Sequence, residues 1–453
     1  MKRIAWFVLF FLLSTPAWAA TVANGELVTV DQLPVLRLWG TAYEMGYAQG
    51  QLLGDQLIEL FTVYLPEMFS LTAYQLMYGI FTDLYRIPPE FEEEAQGVID
   101  GAVSVGCDPF VALLGREITA LDVALAGASA DIDSFLPACS SILAWGDATA
   151  GDAELAGQPI LGRNLDWLAF PGDETWLARQ TLIVARTPDD GRRPTVSVAF
   201  PGFLGCLSCL NDAGVAAVQH QSYPNNSPAE LDFSGQWVPI NLAIRAGLEM
   251  DDADGDENAT ADDTIETLLA LPRSSAYNVI VVDGDPEGHA PRVVELRNRD
   301  TYARQAADEP LFPPQVMAAT NDFRVLQPVE KCPRYRTILQ NAVQWQGQYN
   351  IDRVWQTLYD VEMDNQGMWI DYLSAQSMIF LPAERRLALA YADETGFAPE
   401  KSPGWTDWNA IFGLEDGDDD DTDDDDNSPP AADDDTPPAA DSSDEDEENG
   451  CGC

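Results

Sequence analysis

The sequence predicts an α+β fold built of mainly antiparallel sheets flanked by helices. A helical pattern runs from about residue 38 to 126. Near Ser140 it gives way to short β-rich runs bounded by Gly, Pro or Asp. Helical segments then alternate with further strands. Blocks of helix and strand in this order suit sheets covered by helices around one core.

In chain order, Gly40-Thr-Ala-Tyr-Glu-Met-Gly-Tyr-Ala-Gln-Gly50 opens a long amphipathic helix. Glycine inside a helix costs stability, so its glycines suggest close packing; a plain core helix is the equal alternative. Strands are predicted at 141–145, 159–163, 180–185, 195–200 and 215–218. Helices follow near 238–250 and 264–271, with the Asp-rich stretch 251–263 as a loop between them. Strands return at 278–282, 292–296 and 315–319, helices at 334–344 and 351–359, and last strands at 376–381 and 387–392. No internal repeat is present.

The two ends read differently from the body. Lys2 and Arg3, an apolar run over 4–13 and the small residues of Pro-Ala-Trp-Ala-Ala20 have the pattern of a secretory signal over residues 1–20. The apolar run is short for a membrane span, and no later run is long enough. No cysteine closely follows the signal, which argues against a lipid anchor there. An exported, soluble chain without a transmembrane segment is therefore expected. Residues 415–448 hold 19 acidic side chains and no basic one, out of a net charge of −51. That composition cannot bury a core, so 415–453 is expected to be a disordered acidic tail, ending Cys-Gly-Cys453. The body is still acidic, which argues against nucleic acid as a partner.

Familiar catalytic sets are missing. The chain has two histidines, His220 and His289. There is no GxSxG elbow for a Ser-His-Asp hydrolase. No HExxH or histidine cluster offers a metal site, and no GxGxxG or Walker loop indicates a nucleotide cofactor. A nucleophile here needs another base. A terminal α-amine has an ordinary pKa of about 7.7–8.0 and can be partly neutral at working pH. A residue carrying both nucleophile and amine holds the two together. An internal nucleophile must then be exposed by cutting the chain.

Cys139 fits that role. It opens Cys139-Ser-Ser-Ile-Leu-Ala-Trp145 at the switch from helix to strand. The next predicted strand carries Gly162-Arg163-Asn164-Leu-Asp166. Pairing of the two strands brings Asp166 near a new α-amine and Arg163 near the thiol, where its charge favours the thiolate. Singly, Arg163 and Asp166 read as a strand-end ion pair, and Cys139 as a structural cysteine.

These residues resemble the cysteine N-terminal-nucleophile (Ntn) hydrolases, the penicillin acyltransferase-like peptidase C45 group related to bile salt hydrolases and acid ceramidase. The resemblance is carried by the 40–50 segment, Cys139-Ser-Ser-Ile, Gly162 to Asp166, Gly202-Phe-Leu-Gly-Cys-Leu-Ser-Cys-Leu-Asn-Asp-Ala-Gly214, Ala319-Thr-Asn321, Arg334-Tyr-Arg336 and Ser377 to Ala390. It implies a four-layer αββα sandwich with a helical N-terminal pro-segment over 21–138 and a catalytic part over 139–414. It also implies self-cleavage between Ala138 and Cys139, with the two fragments staying associated, and hydrolysis or transfer of a small N-acyl amide. Cys139 is then the nucleophile, with Arg163 and Asp166 its supporting pair. Asn321 is an oxyanion donor, and Arg334 the second active-site arginine, with Arg336 close by. A second oxyanion donor falls near His220 or Gln221, after the turn begun by Asn211. Relatives often carry Asn at that place, and Thr where this chain has Ser140.

Other signals have plainer readings. Cys206-Leu-Ser-Cys209 lacks a thioredoxin-like setting and reads as a structural turn, with or without a disulfide. Asp252, Asp254, Asp256 and Asn258 carry oxygen ligands of the kind calcium takes, yet read best as a solvated loop. Trp145, Trp167 and Trp176 are candidates for an apolar acyl pocket and equally for core aromatics. Two rivals to the hydrolase are a silent binding protein on the same fold and a thiol–disulfide protein using Cys206 and Cys209.

Overall fold

The computed structural model describes residues 20–132, 138–222, 235–256, 258–285, 289–298, 300–328, 332–362, 364–366 and 371–414. The expected signal, apart from Ala20, and the acidic tail lie outside the described residues.

The described residues begin with β1 (Ala20–Val22), β2 (Gly25–Val30) and β3 (Leu33–Gly40). Asp31 and Gln32 join β2 to β3, both with positive φ (49° and 70°), as a two-residue hairpin loop requires. Helices α1 (Ala42–Glu59), α2 (Leu65–Met68), α3 (Leu71–Leu84) and α4 (Pro89–Ser104) follow. A small hairpin, β4 (Phe110–Val111) and β5 (Arg116–Glu117), leads to α5 (Ala120–Ile132). Thr41 and Glu44 cap α1 reciprocally. The part before Cys139 is thus mainly helical from residue 42 onward; β1 to β3 belong to a sheet, which corrects the helical reading of 21–138 over its first twenty residues.

Then come β6 (Ala138–Ala144), β7 (Ile160–Leu168), β8 (Leu182–Pro188), β9 (Thr195–Ala199), β10 (Ser208–Asn211) and β11 (Ala216–Gln221). Helices α6 (Ile240–Leu248) and α7 (Ala261–Ala270) precede β12 (Tyr277–Val282), β13 (Arg292–Leu296), β14 (Thr301–Arg304) and β15 (Val316–Ala319). The folded part closes with α8 (Pro333–Gln344), α9 (Ile351–Asp360), β16 (Asp364–Gln366), β17 (Asp371–Leu381), β18 (Arg386–Tyr391), β19 (Gly404–Asp407) and α10 (Trp408–Phe412).

Two large sheets result. One has ten strands in the order β1-β2-β3-β8-β9-β10-β11-β12-β13-β14, and the other runs β15-β6-β7-β17-β18-β19 with β16 beside β17. All pairs in them are antiparallel except β3 with β8. Between the sheets, Val196, Val218 and Ile280 meet Leu143, Leu161 and Met378. The outer face of the large sheet buries Ala217, Val279 and Val281 under Phe81, Phe91 and Leu242 of the helices. The outer face of the smaller sheet buries Ile142, Ala318 and Ile379 under Ile338 and Val354 of α8 and α9. The layers are therefore αββα. Each large aliphatic buried this way contributes about 1.5–3 kcal/mol, which fixes which face of each strand points inward.

The helical glycines serve close contact, as their placement suggested. A Cβ on Gly46 or Gly50 of α1 would lie 2.0 or 2.1 Å from a backbone oxygen of α4, and one on Gly97 or Gly101 of α4 would meet α1 at 2.2 or 2.1 Å. α1 and α4 touch backbone to backbone there.

Candidate active site

Cys139 lies on β6, one residue inside the strand, and is 1 % exposed. The β6–β7 register sets Ala138 opposite Asp166, Cys139 opposite Leu165 and Ser141 opposite Arg163. Side chains alternate across a strand, so Cys139 and Ser141 share the face that carries Leu143 into the inter-sheet core. The nucleophile candidate thus sits between the sheets.

Four of the expected residues converge on it. Arg163 Nη2 donates to Cys139 Sγ at 3.3 Å and to the Gln219 carbonyl at 2.6 Å. Asn321 Oδ1 accepts from Cys139 N at 2.9 Å. Arg334 Nη1 donates to Cys139 O at 2.7 Å and to Asp166 Oδ2 at 3.0 Å, and its Nη2 donates to Asn321 Oδ1 at 2.6 Å. Asp166 also accepts from Ser374 Oγ at 2.6 Å, across the β7–β17 pair. Arg334 faces the site from the first turn of α8, whereas Arg336 is exposed, which separates the two arginines.

The electrostatics follow from burial. Burial pushes the Cys139 thiol up; the Arg163 guanidinium works against that, and Asp166 adds to it. Asp166 is pushed up to about 6 by burial, with Arg334 pulling it back. In the uncut chain the thiol is therefore held protonated, beside a cation that stabilises the thiolate once formed.

Some placements differ from expectation. Asn321 presents its oxygen to Cys139 N, while its Nδ2 donates to Gln221 O at 2.7 Å. Two donors on Oδ1 fix that orientation, so in the uncut chain Asn321 holds the nitrogen that cleavage would turn into an amine. Asp166 reaches that region through Arg334. Gln221 enters through its backbone carbonyl. His220 is buried, with Nε2 2.7 Å from Ser141 Oγ and Nδ1 3.2 Å from Asn278 O. A carbonyl only accepts, so Nδ1 carries the proton and Ser141 donates to Nε2. Burial, then Arg163, drive the ring well below its ordinary pKa and keep it neutral. Asn211 is not brought to the thiol: Oδ1 accepts from Ala213 N and Val215 N, and Nδ2 donates to Leu248 O, closing the β10–β11 turn.

An apolar cavity of about 110 Å³ is lined in part by the side chains that pack with Cys139. Leu60, Tyr64, Trp167, Leu177, Phe200 and Leu207 line it, and the same residues form one apolar cluster with Cys139. Trp167 Nε1 donates to Tyr64 OH at 2.8 Å. Of the three tryptophans, Trp167 lines the cavity, Trp176 packs in the Cys139 cluster, and Trp145 belongs to the inter-sheet core. Tyr64, Phe61 and Tyr74 show that the segment before Cys139 supplies much of the wall.

Cys206 and Cys209 form a disulfide, as a structural turn permits. The carboxylates of Asp252, Asp254 and Asp256 lie within 4.8 Å of one another and are exposed. Their oxygens accept from local backbone amides, the pattern of a solvated loop. Among the described residues, no helix is long and apolar enough to cross a membrane.

No family model matches the chain. It is 26 % identical over 314 residues to a protein of Archaeoglobus fulgidus described only as uncharacterized, covering 64 % of this chain and 47 % of that one. It is 24 % identical over 260 residues to protein dcd1B of Dictyostelium discoideum, covering 52 % of this chain and 48 % of that one. The chain spans about half the length of the curated relatives it matches. Among solved structures it is similar to the Caenorhabditis elegans ortholog of N-acylethanolamine-hydrolyzing acid amidase, with TM-score 0.39, 18 % identity, and coverage of 54 % of this chain and 93 % of that one. It is also similar to conjugated bile acid hydrolase from Clostridium perfringens, with TM-score 0.37, 10 % identity, and coverage of 61 % and 95 %. A third is penicillin V acylase from Agrobacterium tumefaciens, with TM-score 0.34, 14 % identity, and coverage of 56 % and 83 %.

Proposed function

We propose that the chain is an exported, self-processing Ntn hydrolase that cleaves a linear amide with an apolar acyl group through a thioester on Cys139. The observation that carries this reading is the convergence of Arg163, Asn321 and Arg334 on the thiol, amide nitrogen and carbonyl of one residue. Any buried backbone N–H and C=O needs partners, but a structural cysteine does not need two arginines and an asparagine side chain to supply them and to meet its thiol.

In the first stage the Cys139 thiol attacks the Ala138 carbonyl. Its proton passes to the Cys139 nitrogen, the Ala138–Cys139 amide breaks, and a thioester forms. Water then hydrolyses that thioester and leaves a free α-amine on Cys139. In the second stage the α-amine takes the thiol proton, and the thiolate attacks the substrate carbonyl. The amine returns that proton to the leaving nitrogen, then activates the water that releases the acid. Arg163 stabilises the thiolate. Asn321 Oδ1 and Arg334 hold the amine and the carbonyl of Cys139. The apolar cavity suits the acyl chain. A neutral amine at working pH supplies general-base catalysis of about 10²–10⁴-fold.

Intact-mass and N-terminal sequencing of the purified protein, beside Cys139→Ala, test the reading. The expected result is a fragment over 21–138 and a second beginning Cys-Ser-Ser-Ile, with Cys139→Ala left uncut. A single chain in both samples removes the α-amine from the mechanism and favours a binding protein on this fold.

A further inference from the structure

We propose that the Cys206–Cys209 disulfide is a positioning element for the nucleophile, bracing the two residues it encloses so that Arg163 stays on Cys139 Sγ. The inference rests on Cys139 being the nucleophile, as read above. The enclosed residues are Leu207 and Ser208. Arg163 Nη1 donates to the Leu207 carbonyl and to Ser208 Oγ. Its Nη2 donates to the Gln219 carbonyl and to the thiol. Gln219 N in turn donates to Leu207 O at 2.9 Å. Every acceptor that holds the terminal nitrogens of Arg163, the thiol apart, therefore comes from the braced turn or from the strand bonded to it.

A guanidinium is a rigid planar fork, so fixing Nη1 fixes where Nη2 points. Arg163 is fully buried, and water cannot replace a lost partner there without cost. The turn is also tied at both ends: Cys206 N donates to Asn241 O at 2.9 Å, and Ser208 and Cys209 pair into β10 between β9 and β11. The disulfide adds a covalent tie across the two residues that hold Arg163. A crosslink across so short a loop removes little chain entropy, so general stabilisation explains it poorly. Both sulfurs are buried; exchange needs access, so this is a permanent brace and not a redox centre. Leu207 also lines the apolar cavity. The brace thus sets the spacing between the acyl wall and the thiol.

The test is a titration of the ultraviolet thiolate band, wild type minus Cys139→Ala, repeated with Cys206→Ala/Cys209→Ala in both backgrounds. Losing the brace should raise the Cys139 midpoint by about one pH unit, or about tenfold less thiolate below it. Ser208→Ala keeps the disulfide and removes one acceptor. It should move the midpoint the same way by less, and it serves if the double variant does not fold. Ile379→Val, in the outer core of the smaller sheet, should lower thermal stability and leave the midpoint in place. A midpoint unchanged or lowered in the brace variants, whatever their melting temperature, overturns the proposal. The titration reads the thiol itself, so failure to cleave amides would sink the functional reading and leave this result standing.

Discussion

At Asp166 the chain buries a carboxylate and sets a partly exposed arginine against it. Its folded pKa of about 6 lies above its ordinary value, so the folded state holds that proton more tightly than the unfolded one. Stability from this group is full below the ordinary carboxylate range and is lost as pH rises through about 6. Arg334→Gln removes the cation and raises the folded value further, steepening the loss. Thermal melts should show the variant destabilised by about 3 kcal/mol near pH 8. The gap should shrink near about pH 5, where Asp166 is neutral. An equal deficit at both pH values would mean that Arg334 acts through packing alone. The sequence made Cys139, Arg163 and Asp166 legible because they lie on consecutive strands, where one hairpin register brings them together. Ser374 and the carbonyls of Leu207 and Gln219 were not legible. They arrive from β17 and from the other sheet, through pairings that no local spacing encodes. Asn321 was legible as a site residue, but which end of its amide meets Cys139 is set by Arg334 on a distant helix.

Among the elements, α1 and α4 owe their contact to four glycines. Gly97→Ala exchanges a poor helix former for the best one, a gain of about 1 kcal/mol on propensity alone. Its Cβ would sit 2.2 Å from Tyr43 O and 2.7 Å from Tyr47 N, both backbone atoms that cannot swing away. Overpacking should win, giving a net loss of about 1–3 kcal/mol in urea denaturation; a stabilised variant would show that the helices can part freely. At the end of α5, Asp131 is buried and pushed up to about 7, while its Oδ2 accepts from Ile240 N at 2.9 Å. Its stability contribution is likewise present at low pH and lost as pH rises through about 7. Asn keeps the acceptor and drops the charge, so the melting temperature of Asp131→Asn should gain on wild type from about pH 5 to about pH 8. A constant difference would contradict a buried, titrating carboxylate. The long elements were legible in the sequence because apolar periodicity over many residues is a strong signal. The missed strands, β1 to β5, β10, β14, β16 and β19, are mostly short or lie beside glycines. They become strands by lying next to one.

For the whole molecule, the α+β class was legible, because the blocks of helix and strand follow one another along the chain. The sheet order was not, since β3 reaches across to β8 and β7 to β17. That long-range order bears on what cleavage after Ala138 would leave. The segment over 21–138 is no detachable cap. Its β3 pairs with β8 from Val35↔Ile183 to Gly40↔Pro188, inside the ten-stranded sheet. Its Leu57, Phe61, Phe81 and Phe91 share one core with Cys209, Ala217, Val279 and Val281. It also supplies Tyr64 and Phe61 to the apolar cavity whose wall packs with Cys139. The four large apolar side chains that the segment contributes to that core represent on the order of 10 kcal/mol of burial that cutting one peptide bond does not touch. The two fragments should therefore co-elute as one species in native size-exclusion chromatography and separate only in denaturant, with activity lost as they part. Separation under native conditions, with the larger fragment still active, would mean that the first segment guides folding and has no share in the finished site.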